Sequence, residues 1–153
     1  MALYLVQHGL SLPKEEDPQK GLSKEGREQT ERIAEVARGY QVRVSAIFHS
    51  GKARAQQTAE IIEGYLAPPE GLRLREGLKP LDDAATLAAE LELNRDWMLV
   101  SHLPLMERLT SCLIIGNPTP TVLKFQNSGI VCIDEDPREH RAVIKWALMP
   151  NIG

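Results

Sequence analysis

The sequence is poor in cysteine: Cys112 and Cys132 are the only two in 153 residues. Each lies in an apolar stretch and neither belongs to a C-x-x-C pair. That gives no disulfide framework and reads as two reduced, mostly buried thiols. The chain also lacks an excess of either charge, with 18 basic and 21 acidic side chains and a net charge of −3. Nothing in that balance draws it to nucleic acid or to an anionic membrane. Long apolar runs are absent as well. The N-terminal Ala2-Leu3-Tyr4-Leu5-Val6 is too short for a signal h-region or a membrane span, and no basic segment precedes it. The chain is therefore expected in the cytoplasm. It has no internal repeat, no low-complexity tract and no linker, so residues 1–153 read as one domain with one core.

What is present alternates between two periods. Leu3 to Val6 is a continuous apolar run, as a strand buried on both faces requires. Ser11 to Leu22 is polar and carries Pro13, Pro18 and Gly21, which predicts a long loop. Ser23 is a helix N-cap followed by Glu25 and Glu28, and Ile33, Ala34, Val36 and Ala37 continue an apolar face until Gly39. Val42 to Phe48 is a second strand. Ala55, Thr58, Ala59, Ile62 and Leu66 recur at helical steps over 51–66, ended by Pro68-Pro69. Leu72 to Leu74 is a weak third strand. Asp82 or Asp83 caps a helix running to about Leu93, and Trp97 to Val100 is a fourth strand. Pro104 opens a helix that stops at Gly116. Ile130 to Ile133 and Val143 to Leu148 form a late hairpin whose turn begins at Asp134-Glu135-Asp136-Pro137. Strands alternating with helices predict an α/β three-layer sandwich whose central sheet is mainly parallel.

Three of the four histidines immediately follow a strand: His8 after Leu-Tyr-Leu-Val-Gln, His49 after Val-Ser-Ala-Ile-Phe, His102 after Trp-Met-Leu-Val-Ser. Right-handed crossovers bring such strand ends to one rim, where open α/β sheets bind ligands. His8 and His102 are expected to share a site. At the second strand either His49 or Ser50 faces it, and His140 lies in a charged turn at the surface. Arg54, one helical turn beyond Ser50, can reach back over the rim with a planar fork of donors suited to phosphate or carboxylate. Gly51 permits close backbone approach at a helix start, and Leu103 offers an amide before the next helix. These ingredients describe an anion pocket. A metal site built on the three histidines is opposed by Arg54, and no spacing calls for a metal or a cofactor.

Gln7-His8-Gly9 resembles the Arg-His-Gly signature of the histidine phosphatase superfamily, which includes the cofactor-dependent phosphoglycerate mutases. His49-Ser50-Gly51-Lys52-Ala53-Arg54-Ala55-Gln56-Gln57-Thr58 resembles its second motif and Ser101-His102-Leu103-Pro104 its third. The length, Gly-Leu-Ser-Lys-Glu-Gly at 21–26 and the late hairpin with Trp146 and Pro150 are most similar to the short SixA-type phosphohistidine phosphatases. The resemblance implies a phosphoglycerate mutase-like fold. It also implies that His8 is a nucleophile that becomes transiently phosphorylated, and that Arg54 and His102 stabilise the phosphoryl oxygens, with Gln7, Ser50 and Leu103 beside them. The partner it implies is a phosphorylated protein, for instance a histidine phosphotransfer domain.

Two positions depart from the family pattern. Gln7 stands where the family has arginine, with Lys20 or Lys52 available to compensate. Leu10 stands where many relatives carry an acidic residue, leaving Glu76, Asp82 and Asp83 as candidates for a general acid, each also readable as a surface or capping carboxylate. Three functions stay open on this reading: a phosphohistidine phosphatase, a phosphatase of small phosphate esters, and a non-catalytic phosphate-binding module. A phosphohistidine phosphatase can dispense with a general acid, because phosphohistidine can take its proton in advance.

Overall fold

The computed structural model describes residues 1–152. Strand β1 (Leu3–Gln7) is buried at every position because it lies inside the sheet, parallel to β4 (Trp97–Ser101) on one side and antiparallel to β5 (Ile130–Asp136) on the other. Beyond β4 come β2 (Ala46–His49) and then β3 (Leu72–Leu74), both parallel; beyond β5 comes β6 (Arg141–Leu148), antiparallel. The order is β3-β2-β4-β1-β5-β6. The mainly parallel sheet expected from the sequence is therefore observed, closed on one side by the predicted hairpin.

Alternation along the strands builds two cores. Tyr4, Val6, Ile47, Met98 and Val100 face helix α1 (Lys24–Gly39) and helix α2 (Ala53–Leu66), meeting Ile33, Ala37, Ala55, Ala59 and Ile62. Leu3, Leu5, Phe48, Leu99 and Val131 face helix α3 (Ala84–Glu90) and helix α4 (Leu105–Ile115), meeting Leu87, Leu105, Met106 and Leu109. Each large side chain removed from water here contributes roughly 1.5–3 kcal/mol. Helices on both faces complete the three layers.

Local signals act as expected at most boundaries. Ser23 accepts the Gly26 N–H at 3.0 Å and caps α1. Of the two aspartates before α3, Asp83 is the cap, accepting from Thr86 N at 2.8 Å, while Asp82 accepts from Lys79 N at 2.9 Å in the preceding turn. Gly116 ends α4 at φ 72°. Several boundaries shift. The hairpin turn begins at Pro137 rather than Asp134, because β5 stays paired with β6 as far as Asp136 opposite Arg141. Strand β2 begins at Ala46 rather than Val42, because its neighbour β4 first offers a partner at Trp97. Helix α3 ends at Glu90 rather than Leu93: Leu91 turns extended, and both Leu91 and Leu93 pack against the core. Helix α2 begins at Ala53, leaving Ser50-Gly51-Lys52 as a separate turn.

Candidate active site

Register brings the candidate residues together. Gln7 pairs with Ser101 and His49 with Val100, so β1, β2 and β4 end level. His8 N–H donates to the Ser101 carbonyl at 2.9 Å, extending the ladder by one step. His8 and His102 then lie with ring centroids 5.0 Å apart, tilted by 56°.

The partner of the His8 imidazole assigns its tautomer. His8 Nδ1 sits 2.7 Å from the Gly9 carbonyl oxygen. A carbonyl only accepts, so Nδ1 carries the proton and Nε2 keeps its lone pair. His102 is 1% exposed, and its Nε2 lies 2.6 Å from Ser50 Oγ. Ser50 Oγ also accepts the Lys52 N–H at 3.3 Å. His102 Nδ1 is buried with no hydrogen-bond partner.

The backbone around His8 is fixed from three directions. Asn127 Nδ2 donates to the His8 carbonyl at 2.9 Å, and Ser128 N–H donates to the Gln7 carbonyl at 2.9 Å. Gly9 N–H donates to Thr58 Oγ1 at 2.9 Å, and that hydroxyl donates to the Arg54 carbonyl at 2.8 Å. The start of α2 is thus tied to the exit of β1, with Arg54 beside His8. A Cβ at Gly9 would lie 2.8 Å from Thr30 Oγ1 and 3.0 Å from Ser128 Oγ, which themselves share a 2.7 Å hydrogen bond. Thr58, Asn127 and the Thr30–Ser128 pair are functional supports that the sequence reading missed. Thr58 stood within the second motif, whereas Asn127 has no local signal.

Electrostatics follow from this burial. Desolvation lowers the His8 pKa to about 4, with the Arg54 and Lys20 charges lowering it further and the Gly9 hydrogen bond opposing them. Desolvation lowers His102 to about 3, reinforced by His8, Arg54, Lys52 and Lys20. Both rings are neutral at neutral pH. The side-chain charges acting on the pair from outside it are all positive. Arg54 is half-buried, its pKa is lowered by desolvation, and it forms no ion pair among the described residues.

These values carry a pH prediction. Each folded pKa lies below the ordinary 6.5. Between about 4 and 6.5 the unfolded chain therefore binds protons that the folded chain refuses. Stability rises with pH through that window and is lost as pH falls through it. A His8→Asn chain is expected to show a shallower dependence of melting temperature on pH over the same range, and the His8 ring to titrate near pH 4 by NMR. A His8 midpoint near 6.5 would contradict the buried, cation-flanked environment.

The other candidates take definite positions. His49 accepts the Gly51 N–H on Nδ1 at 3.0 Å and so supports the turn that presents Ser50; it is Ser50 that meets His102. Gly51 adopts φ +91°, so glycine is needed for the turn itself rather than at a helix start. Gln7 is 9% exposed, and its Oε1 is buried without a hydrogen-bond partner. Leu103 is half-buried, between His102 and Pro104. His140 is exposed and pairs with Glu135, as its charged turn predicted. Asp82 is committed to the turn at Lys79 and Asp83 to the cap of α3, and Glu76 is exposed. Among the described residues, no group of three His, Cys, Asp or Glu side chains could hold a metal ion, and no helix is long and apolar enough to cross a membrane.

Sheet, paired neutral imidazoles and uncommitted cations together define the class, an α/β phosphatase. The chain belongs to the histidine phosphatase superfamily, whose branch 1 matches residues 3–82. It is 25% identical over 156 residues to phosphohistidine phosphatase SixA of Escherichia coli K12, covering 98% of this chain and 94% of the relative. The solved structure of the protein histidine phosphatase SixA complexed with tungstate superimposes with a TM-score of 0.83 at 24% identity, over 98% of this chain and 97% of that one. A histidine-to-alanine variant of phosphoserine phosphatase from Entamoeba histolytica, in complex with phosphoserine, gives a TM-score of 0.73 at 19% identity, over 97% of each chain. The two structural likenesses establish the phosphoglycerate mutase-like fold.

Proposed function

We propose that the chain is a cytoplasmic phosphohistidine phosphatase whose substrate is a phosphorylated protein, such as a histidine phosphotransfer domain. His8 Nε2 attacks the phosphorus in line as the P–N bond to the substrate imidazole breaks, giving phospho-His8. Arg54 and His102 hold the equatorial phosphoryl oxygens, with Gln7, Ser50 and Leu103 beside them. Water then attacks phospho-His8, releasing inorganic phosphate and returning His8 to its starting tautomer. The neutral His8 lone pair needs no separate base to activate it.

One observation carries this reading over a phosphate ester: the carboxylates that the sequence offers as a general acid are committed elsewhere, Asp82 to the turn at Lys79 and Asp83 to the cap of α3, while Glu76 is exposed. An alkyl phosphate must expel an alkoxide and needs a proton donor in the transition state. A phosphohistidine already protonated on its other ring nitrogen leaves as neutral imidazole without one. Comparing kcat/KM for a phosphohistidine protein and for phosphoserine tests the point. The expected preference is roughly 10²–10⁴-fold for phosphohistidine, the range that a general acid supplies. Equal rates would assign the site to small esters instead.

A further inference from the structure

Gln7 leaves the phosphoryl pocket one charge short, and the loop between β1 and α1 holds a cation that nothing else uses. Residues 11–22 fold back on themselves: Ser11 bridges Leu22, and Leu12 N–H donates to the Gly21 carbonyl at 2.8 Å. Asp17 closes the tip, its carboxylate oxygens accepting from Gln19 N at 3.0 Å and Gly21 N at 2.9 Å, while Lys20 N–H donates to the Asp17 carbonyl at 2.8 Å. Lys20 is thereby held at φ +52°, a left-handed conformation that a lysine rarely adopts without compensation. The loop is then fastened to α2 at Gln57, whose Oε1 accepts from Leu22 N at 2.7 Å. Gln57 lies one helical turn beyond Arg54. Lys20 is half-buried and has no ion-pair partner among the described residues. The loop also lies against the exit of β1, since a Cβ at Gly9 would sit 3.1 Å from Leu22 Cδ2, and the Lys20 charge is among the causes that lower the His8 and His102 pKa values.

We infer that Lys20 is a phosphoryl-oxygen ligand of this site, supplying from the loop the positive charge that Gln7 does not supply from β1. The inference rests on the phosphatase reading for its catalytic consequence, but oxyanion binding reports on it without turnover. Lys14, exposed in the same loop, is the control.

The test is calorimetric titration of inorganic phosphate into the purified chain at low salt. Lys20→Met is expected to weaken binding about tenfold, the scale of one charge-assisted hydrogen bond at a partly solvated site. Lys14→Met should leave it unchanged, Lys20→Arg should retain it, and Gln7→Arg should restore it in the Lys20→Met background. The His8 ring should also titrate at higher pH in Lys20→Met, since a cation has been removed. Phosphate affinity and His8 titration both unchanged in Lys20→Met, or no better binding when Gln7→Arg is added, would overturn the assignment. Wild-type chain that binds phosphate with this Lys20 dependence yet fails to hydrolyse phosphohistidine would sink the proposed reaction and leave the ligand role standing.

Discussion

Replacing His8 by asparagine is expected to abolish turnover of a phosphohistidine protein, with a loss in kcat on the order of 10⁴-fold or more, the loss that removing the proposed covalent nucleophile predicts. Asparagine offers no nucleophilic lone pair at the position of Nε2. Its size nonetheless suits a site whose backbone is already pinned by Ser101, Thr58 and Asn127. Phosphate affinity should therefore fall by only a few fold while catalysis disappears. The check is steady-state kinetics and a phosphate titration on the same preparation. Activity within tenfold of wild type would mean that another group attacks phosphorus.

The second large effect belongs to Arg54. Arg54→Met is expected to lower kcat/KM by about 10³-fold or more, in line with loss of an arginine that stabilises charge on a transferring phosphoryl group. The melting temperature should change little, because the guanidinium is only half-buried and forms no ion pair among the described residues. Arg54→Lys should recover only part of the loss, since an ammonium cannot reproduce a planar two-pronged contact. The absence of arginine at position 7 sharpens the expectation: Arg54 is the single guanidinium whose charge reaches His8 and His102. A kcat/KM within tenfold of wild type for Arg54→Met would show that the pocket's charge comes from elsewhere.

Where sequence and structure agree, the signal was local. The unbroken apolar run of β1 declared a strand with neighbours on both sides, and it has them in β4 and β5. Ser23 and Gly116 ended helices through their own backbone chemistry. His8, Ser50 and His102 could be read as neighbours because parallel strands of matched register bring their carboxyl ends to one rim. What could not be read depended on distant partners. The start of β2 is set by where β4 begins, and no residue near Val42 encodes that. Asn127 supports a backbone carbonyl 119 positions away, and Gln57 fixes the Lys20 loop from 35 positions away. The choice between His49 and Ser50 was decided by the turn at Gly51, which directs one side chain to His102 and the other to the backbone that shapes the turn.

Mass spectrometry after a rapid quench of the chain mixed with an equimolar phosphohistidine protein locates the transferred group. A phosphoryl group on the peptide containing His8, labile to acid and stable to base, appearing before free phosphate and missing from the His8→Asn chain, is the expected result. Free phosphate released with no label on His8, or label on a different residue, would contradict it.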